Sequence, residues 1–135
     1  GGTTVYFPVF QERAMLAMGD AKAAMADGEM CGTGAEIAVE IDATLSVIED
    51  PAVALDRPVV DTGDAVKTLA SAATLEEAVE LANRDMLGLL AHHGFSRTEA
   101  YLFSSLVGGV EISQVVDPQV TARNAVPSEY LSVPF

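Results

Sequence analysis

Basic residues are scarce in this sequence. Seven Lys and Arg stand against twenty Asp and Glu in 135 residues, a net charge of −13 at neutral pH. The seven are scattered from Arg13 to Arg123. A phosphate backbone needs clustered cations, so no nucleic acid partner is expected. Cysteine is nearly absent as well. Cys31 stands alone and cannot form an internal disulfide, which makes a reducing cytoplasm the expected compartment. No apolar run approaches the roughly 20 residues that cross a bilayer. No basic segment followed by an apolar one marks a secretory leader, so no membrane association is expected. The chain opens Gly1-Gly2 without Met, which reads as a processed, cut or engineered terminus, or as part of a longer precursor.

What is present argues for a packed domain. Half the residues are hydrophobic and the mean hydropathy is +0.29, too apolar for disorder despite the charge. The length suits a single domain over residues 1–135. A compact monomer of this mass exposes about 6,700 Å².

Periodicity divides the chain. Residues 3–10 are β-branched and aromatic and predict a strand, with Pro8 confining it to an edge or bulge. Residues 35–48 alternate: Ala35, Ile37, Val39, Ile41, Ala43, Leu45 and Val47 form one face, with Glu36, Glu40, Asp42, Thr44 and Ser46 on the other. That predicts one long half-buried strand, or two with a bulge. Short strands are expected at 58–61 and 65–72 around a Thr62-Gly63-Asp64 turn. Thr74-Leu-Glu-Glu77 and Ser96-Arg-Thr-Glu99 are capping-box sequences that open two helices. The first buries Leu75, Val79, Ala82, Met86, Leu89 and Leu90 and ends at Gly94; the second carries Ala100, Phe103, Leu106 and Val107 and ends at Gly108. Residues 110–116 predict a final strand, and 119–135, with two prolines, an irregular tail. The fold class is α+β: a β-rich, sandwich-like first half, then a helical hairpin and a last strand.

Chemistry concentrates in residues 19–34, which hold four glycines, Asp20, Asp27, Glu29, Lys22 and Cys31. Glycines permit close backbone approach. Carboxylates on such turns can bind a hard cation or act as bases, or simply lie on a solvated acidic loop. Neither EF-hand nor phosphate-loop spacing is present. Cys31, Glu29 and Lys22 are the residue types of a thiol amidase, in which a thiolate attacks, a carboxylate moves the proton and an ammonium steadies the oxyanion. His92-His93, at the end of the first helix, reads as a favourable interaction with the helix dipole.

Three separated stretches, in order, resemble the acetamidase/formamidase family. The first is Gly2-Thr-Thr-Val-Tyr-Phe-Pro-Val9 with Gly19-Asp20, Ala23-Ala24-Met25, Asp27-Gly28-Glu29, Cys31-Gly32-Thr33 and Glu36. The others are Glu99-Ala-Tyr-Leu102, and Ile112-Ser-Gln-Val-Val-Asp-Pro118 with Val126-Pro127. Lys22 stands where the family usually has His, and Ala26 where it has Gly. A protonated lysine cannot replace a histidine as a metal ligand. Family members are substantially longer, and the resemblance is to their C-terminal part.

The resemblance implies hydrolysis of a small formamide- or acetamide-like substrate to a carboxylate and ammonia, by a larger or multi-chain enzyme. Glu29 is expected to activate water and later protonate the leaving amine. Asp20 and Asp27, with Glu36, are expected to hold a divalent cation (zinc, or calcium at an all-oxygen site) or to orient that water. Lys22 would polarise the carbonyl if the metal is lost. A second chain supplying the N-terminal part, or a homo-oligomer, is the expected partner. The alternatives are an amidase of the same family using Cys31 on a different substrate, and a non-catalytic assembly or regulatory subunit.

Overall fold

A computed structural model describes residues 1–135. The chain runs β1 (Thr4–Tyr6), β2 (Lys22–Ala24), β3 (Ala35–Glu36), β4 (Val59–Asp61), β5 (Ala65–Ala72), α1 (Leu75–His92), α2 (Arg97–Val107), β6 (Gly109–Gln114) and β7 (Val120–Pro127). The fold is α+β with a mostly β first part. Five strands form one antiparallel sheet in the order β1-β4-β5-β7-β6; β2 and β3 form a separate ribbon.

Sheet and helices pack through alternating residues. Val66, Thr68, Ala70 and Ala72 of β5 and Ala122, Asn124 and Val126 of β7 are all buried. Val66 and Val126 join Val59, Met86, Leu89, Leu90, Ala100 and Leu131 in one cluster; Ala72 and Ala122 pack on Ala78 in another. Ala78, Ala82, Met86, Leu89 and Leu90 form the buried stripe of α1, close to the expected one. The Thr68 hydroxyl donates to the Ala82 carbonyl at 2.7 Å, so the one hydroxyl on this face is satisfied by the helix. Ser96 and Glu99 complete a reciprocal capping box on α2, whereas Thr74 only accepts from the Glu77 amide on α1. Gly94, at φ +93°, makes the turn between the helices, a conformation that glycine adopts without steric cost.

The structure departs from the sequence reading in three places. The strand expected over 3–10 is paired only from Thr4 to Tyr6, ending before Pro8, which has no N–H for a ladder. The long strand expected over 35–48 pairs only at Ala35 and Glu36. Its apolar face is exposed rather than half-buried. The tail expected to be irregular contains β7, paired on both edges with β5 and β6. Asn124 conceals that strand by interrupting the apolar alternation. Its Nδ2 donates to Asn83 Oδ1 at 2.8 Å and to Ser104 Oγ at 3.1 Å, which offsets part of the cost of an amide among core residues, while its Oδ1 is buried without a partner.

Burial is very uneven. Of seventeen buried residues only Gly28 precedes Val59, so the core is built from residues 59–131. No helix is long and apolar enough to cross a membrane.

Candidate active-site loop

The glycine- and acid-rich segment folds back on itself as the β2–β3 ribbon. Lys22 on β2 is opposite Glu36 on β3, with a bulge between Lys22 and Ala24. Gly34 allows this close return: a Cβ there would lie 2.8 Å from both the Ala24 carbonyl oxygen and Lys22 Cδ. Between the strands, Gly28 is anchored to β6. Its amide donates to the Ser113 carbonyl at 3.2 Å and its carbonyl accepts from the Val115 amide at 3.1 Å.

At the centre is an ammonium held by two carboxylates. Lys22 Nζ donates to Glu29 Oε1 at 2.6 Å and to Asp20 Oδ2 at 2.8 Å. The side chains of Lys22 and Glu29 are only 12% and 10% exposed. The Lys22 hydrogen bond, reinforced by its charge, holds the Asp20 carboxyl below the usual carboxylate range. Hydrogen bonds to Asp20 and Glu29 raise Lys22 above its ordinary value. Asp20 and Glu29 have left-handed backbones, φ +55° and +43°, which are uncommon without glycine and are found disproportionately at functional positions.

The remaining candidates have other hydrogen-bond partners. Asp27 accepts two hydrogen bonds from Arg123 Nη2, at 2.7 and 2.8 Å. Glu36 accepts from the Thr33 hydroxyl at 3.3 Å, and Cys31 Sγ donates to the Thr33 carbonyl. Glu36 lies close enough to Asp20 to help lower its carboxyl, but Asp27 is held away by Arg123, so the three do not converge and no group of three His, Cys, Asp or Glu is gathered for a metal ion. As arranged, these residues do not fit a divalent cation, because Asp20 and Asp27 are already paired with cations of the protein. His92 and His93 lie at the far end of α1, where His93 Nδ1 contacts the Leu89 carbonyl oxygen at 3.0 Å.

Arg123 is the residue that sequence reasoning missed. It lies on β7 opposite Glu111 on β6, and its Nε donates to Glu111 Oε2 at 2.6 Å. Lys67 Nζ donates to the same oxygen at 3.2 Å. Burial alone would raise the Glu111 carboxyl, but the hydrogen bonds from Arg123 and Lys67 outweigh it and hold that carboxyl below its usual range. The signal in the sequence was Thr121, Arg123 and Ala125 alternating with Ala122, Asn124 and Val126.

This network predicts a pH-dependent effect. Arg123→Gln removes bonds to Asp27 and Glu111, which are 57% and 33% exposed, so solvent screening limits the cost to about 1–2 kcal/mol at neutral pH. A lowered carboxylate pKa stabilises the fold above its unfolded value and ceases to do so as pH falls through the folded value. The difference between wild type and variant at neutral pH should therefore shrink once pH falls below the usual carboxylate range, as Glu111 is protonated. Urea denaturation at both pH values checks this; an equal difference at each would remove the ionic explanation.

The sequence profile of the acetamidase/formamidase family matches residues 1–132. The chain belongs to this family. Three solved structures share the fold. The chain is 38% identical to a recombinant predicted acetamidase/formamidase from the thermophile Thermoanaerobacter tengcongensis, with a TM-score of 0.82, covering 95% of this chain and 42% of that one. It is 36% identical to an acetamidase from Bacillus halodurans, with a TM-score of 0.79, covering 96% and 43% of the two chains. It is 30% identical to an acetamidase from Yersinia enterocolitica, with a TM-score of 0.82, covering 97% and 39%. A search of the curated proteins finds no match. This acetamidase/formamidase-family chain thus spans about two fifths of the solved relatives' length.

Proposed function

We propose that this chain carries part of the active site of an amidohydrolase that converts a short linear amide, of formamide or acetamide type, to a carboxylate and ammonia. The observation that supports this most is the Lys22–Glu29 pair, 2.6 Å apart, on a loop with two left-handed non-glycine residues anchored to the sheet. Family membership supports the reaction class.

The roles follow from donor and acceptor capacity. An ammonium has three N–H groups. Asp20 and Glu29 take two of those on Lys22, leaving one for the amide carbonyl oxygen. Donation there stabilises negative charge as the carbonyl becomes tetrahedral. Glu29 takes a proton from water as the water oxygen bonds to the carbonyl carbon. The C–N bond then breaks, and Glu29 returns that proton to the departing nitrogen. Asp20 keeps Lys22 charged. Asp27, through Arg123, holds the loop against β6 and β7.

Two shallow depressions lie away from the loop, one lined by Ala72, Glu77, Glu80, Leu81 and Arg84, the other beside Arg57 and Thr121. The exposed setting of Asp20 and Cys31 is the observation that favours the second reading, an assembly subunit. Ammonia release from formamide and acetamide by the native particle decides between them. Turnover is the expected result; no ammonia from any short amide would leave the subunit reading.

A further inference from the structure

Residues 37–48 carry the side-chain alternation of a strand but lie outside every strand of the structure. The Ile37 amide donates to the Ala21 carbonyl at 3.1 Å, continuing the β2–β3 pairing by one residue. The partner strand then turns away at Asp20, whose φ is +55°. From Ala38 to Ile48 no main-chain hydrogen bond is made. The apolar side chains Ile37, Val39, Ile41, Leu45, Val47 and Ile48 are 44–81% exposed. Alternating apolar residues with unpaired amides and carbonyls form a template for strand addition.

The area matches a large missing partner. The chain exposes 9092 Å², about 2,400 Å² more than a compact monomer of its mass. Burying an excess of that size on one side alone belongs to the obligate class of interface, not to a transient contact. Fifteen of the twenty-two exposed large hydrophobic residues lie between Val5 and Ile48, so the excess is concentrated on the segments that lack a core.

We infer that residues 37–48 pair, strand to strand, with the part of the acetamidase/formamidase fold that this chain does not contain. About three fifths of each solved relative has no counterpart here, although 95–97% of this chain has one there. A second copy of this chain is the poorer occupant. Each copy carries −13, and antiparallel self-pairing of this segment brings Glu36, Glu40 and Asp42 of one copy near the acids Asp42, Glu49 and Asp50 of the other. The inference rests on family membership and on unpaired main chain. Its outcome is therefore separable from that of the amidase reading.

The test is co-expression of the 135-residue chain with a polypeptide comprising the unmatched part of the Thermoanaerobacter tengcongensis relative. A chimera joining the two on one chain serves as a second preparation. Amide hydrogen exchange is read over 38–48, with α1 as the folded control. The expected result is a 1:1 complex in which 38–48 slows by roughly a hundredfold relative to the chain alone. Ile41→Pro should reverse that protection while α1 stays protected. Exchange that stays at free-peptide rates in both preparations overturns the inference. So does protection of 38–48 in a self-dimer of the chain alone.

Discussion

Glu29→Gln is expected to lower amide turnover by about 10²–10⁴-fold, the usual worth of a positioned general base. Gln is nearly isosteric and its side-chain oxygen can still accept from Lys22. What disappears is the ability to take up a proton from water and return it to nitrogen. The loss should fall on kcat with little change in KM, because substrate still meets the Lys22 ammonium. Far-UV circular dichroism and unchanged exchange protection in α1 would show an intact fold. Retained turnover would remove Glu29 from the mechanism. It would also shift attention to Cys31, whose thiol is exposed and hydrogen-bonded to the Thr33 carbonyl.

Leu90→Ala should destabilise the chain by about 2–5 kcal/mol, the range for emptying a core leucine site. Leu90 is fully buried, within an eight-residue cluster that joins α1 to β4, β5, β7 and Leu131. Domain stability is typically only about 5–15 kcal/mol. All but one of the buried residues lie from Val59 onward, so no other part of the chain holds a second core to compensate. Leu106→Ala is the control. Leu106, one of the apolar residues of α2, is 83% exposed, so its truncation should change stability by less than about 0.5 kcal/mol. Urea midpoints at constant slope measure both. Equal effects would mean that the core lies elsewhere.

Local signals read correctly where the chain's own neighbours complete the structure. The box at Ser96 and Glu99 formed because its donors and acceptors are three residues apart. The stripe of α1 formed because a sheet face lies ready to cover it. Alternation over 35–48 predicts a half-buried strand, but only Ala35 and Glu36 pair and the apolar face is exposed, because periodicity reports which side chains share a face and not what pairs with the backbone or covers that face. Strand β7 was missed because a buried polar residue, Asn124, breaks the apolar count.

The candidate site shows the same division. Composition alone picked out Asp20, Lys22, Asp27 and Glu29 as a group, because glycines and charged residues crowd into one short segment. Only the folded chain divides them into an ammonium bridge around Lys22 and a separate clasp between Asp27 and Arg123.

The sequence by itself determined the family, the α+β class, both helix starts and the segment in which the chemistry lies, since each depends on residue types at short, fixed spacings. Tertiary structure alone decided that Arg123 is ninety-six residues from its carboxylate in sequence yet 2.7 Å away in space. It also decided that residues 38–48 make no main-chain hydrogen bond. Ion pairing and ladder formation depend on which segments the fold brings side by side, and no local pattern encodes that.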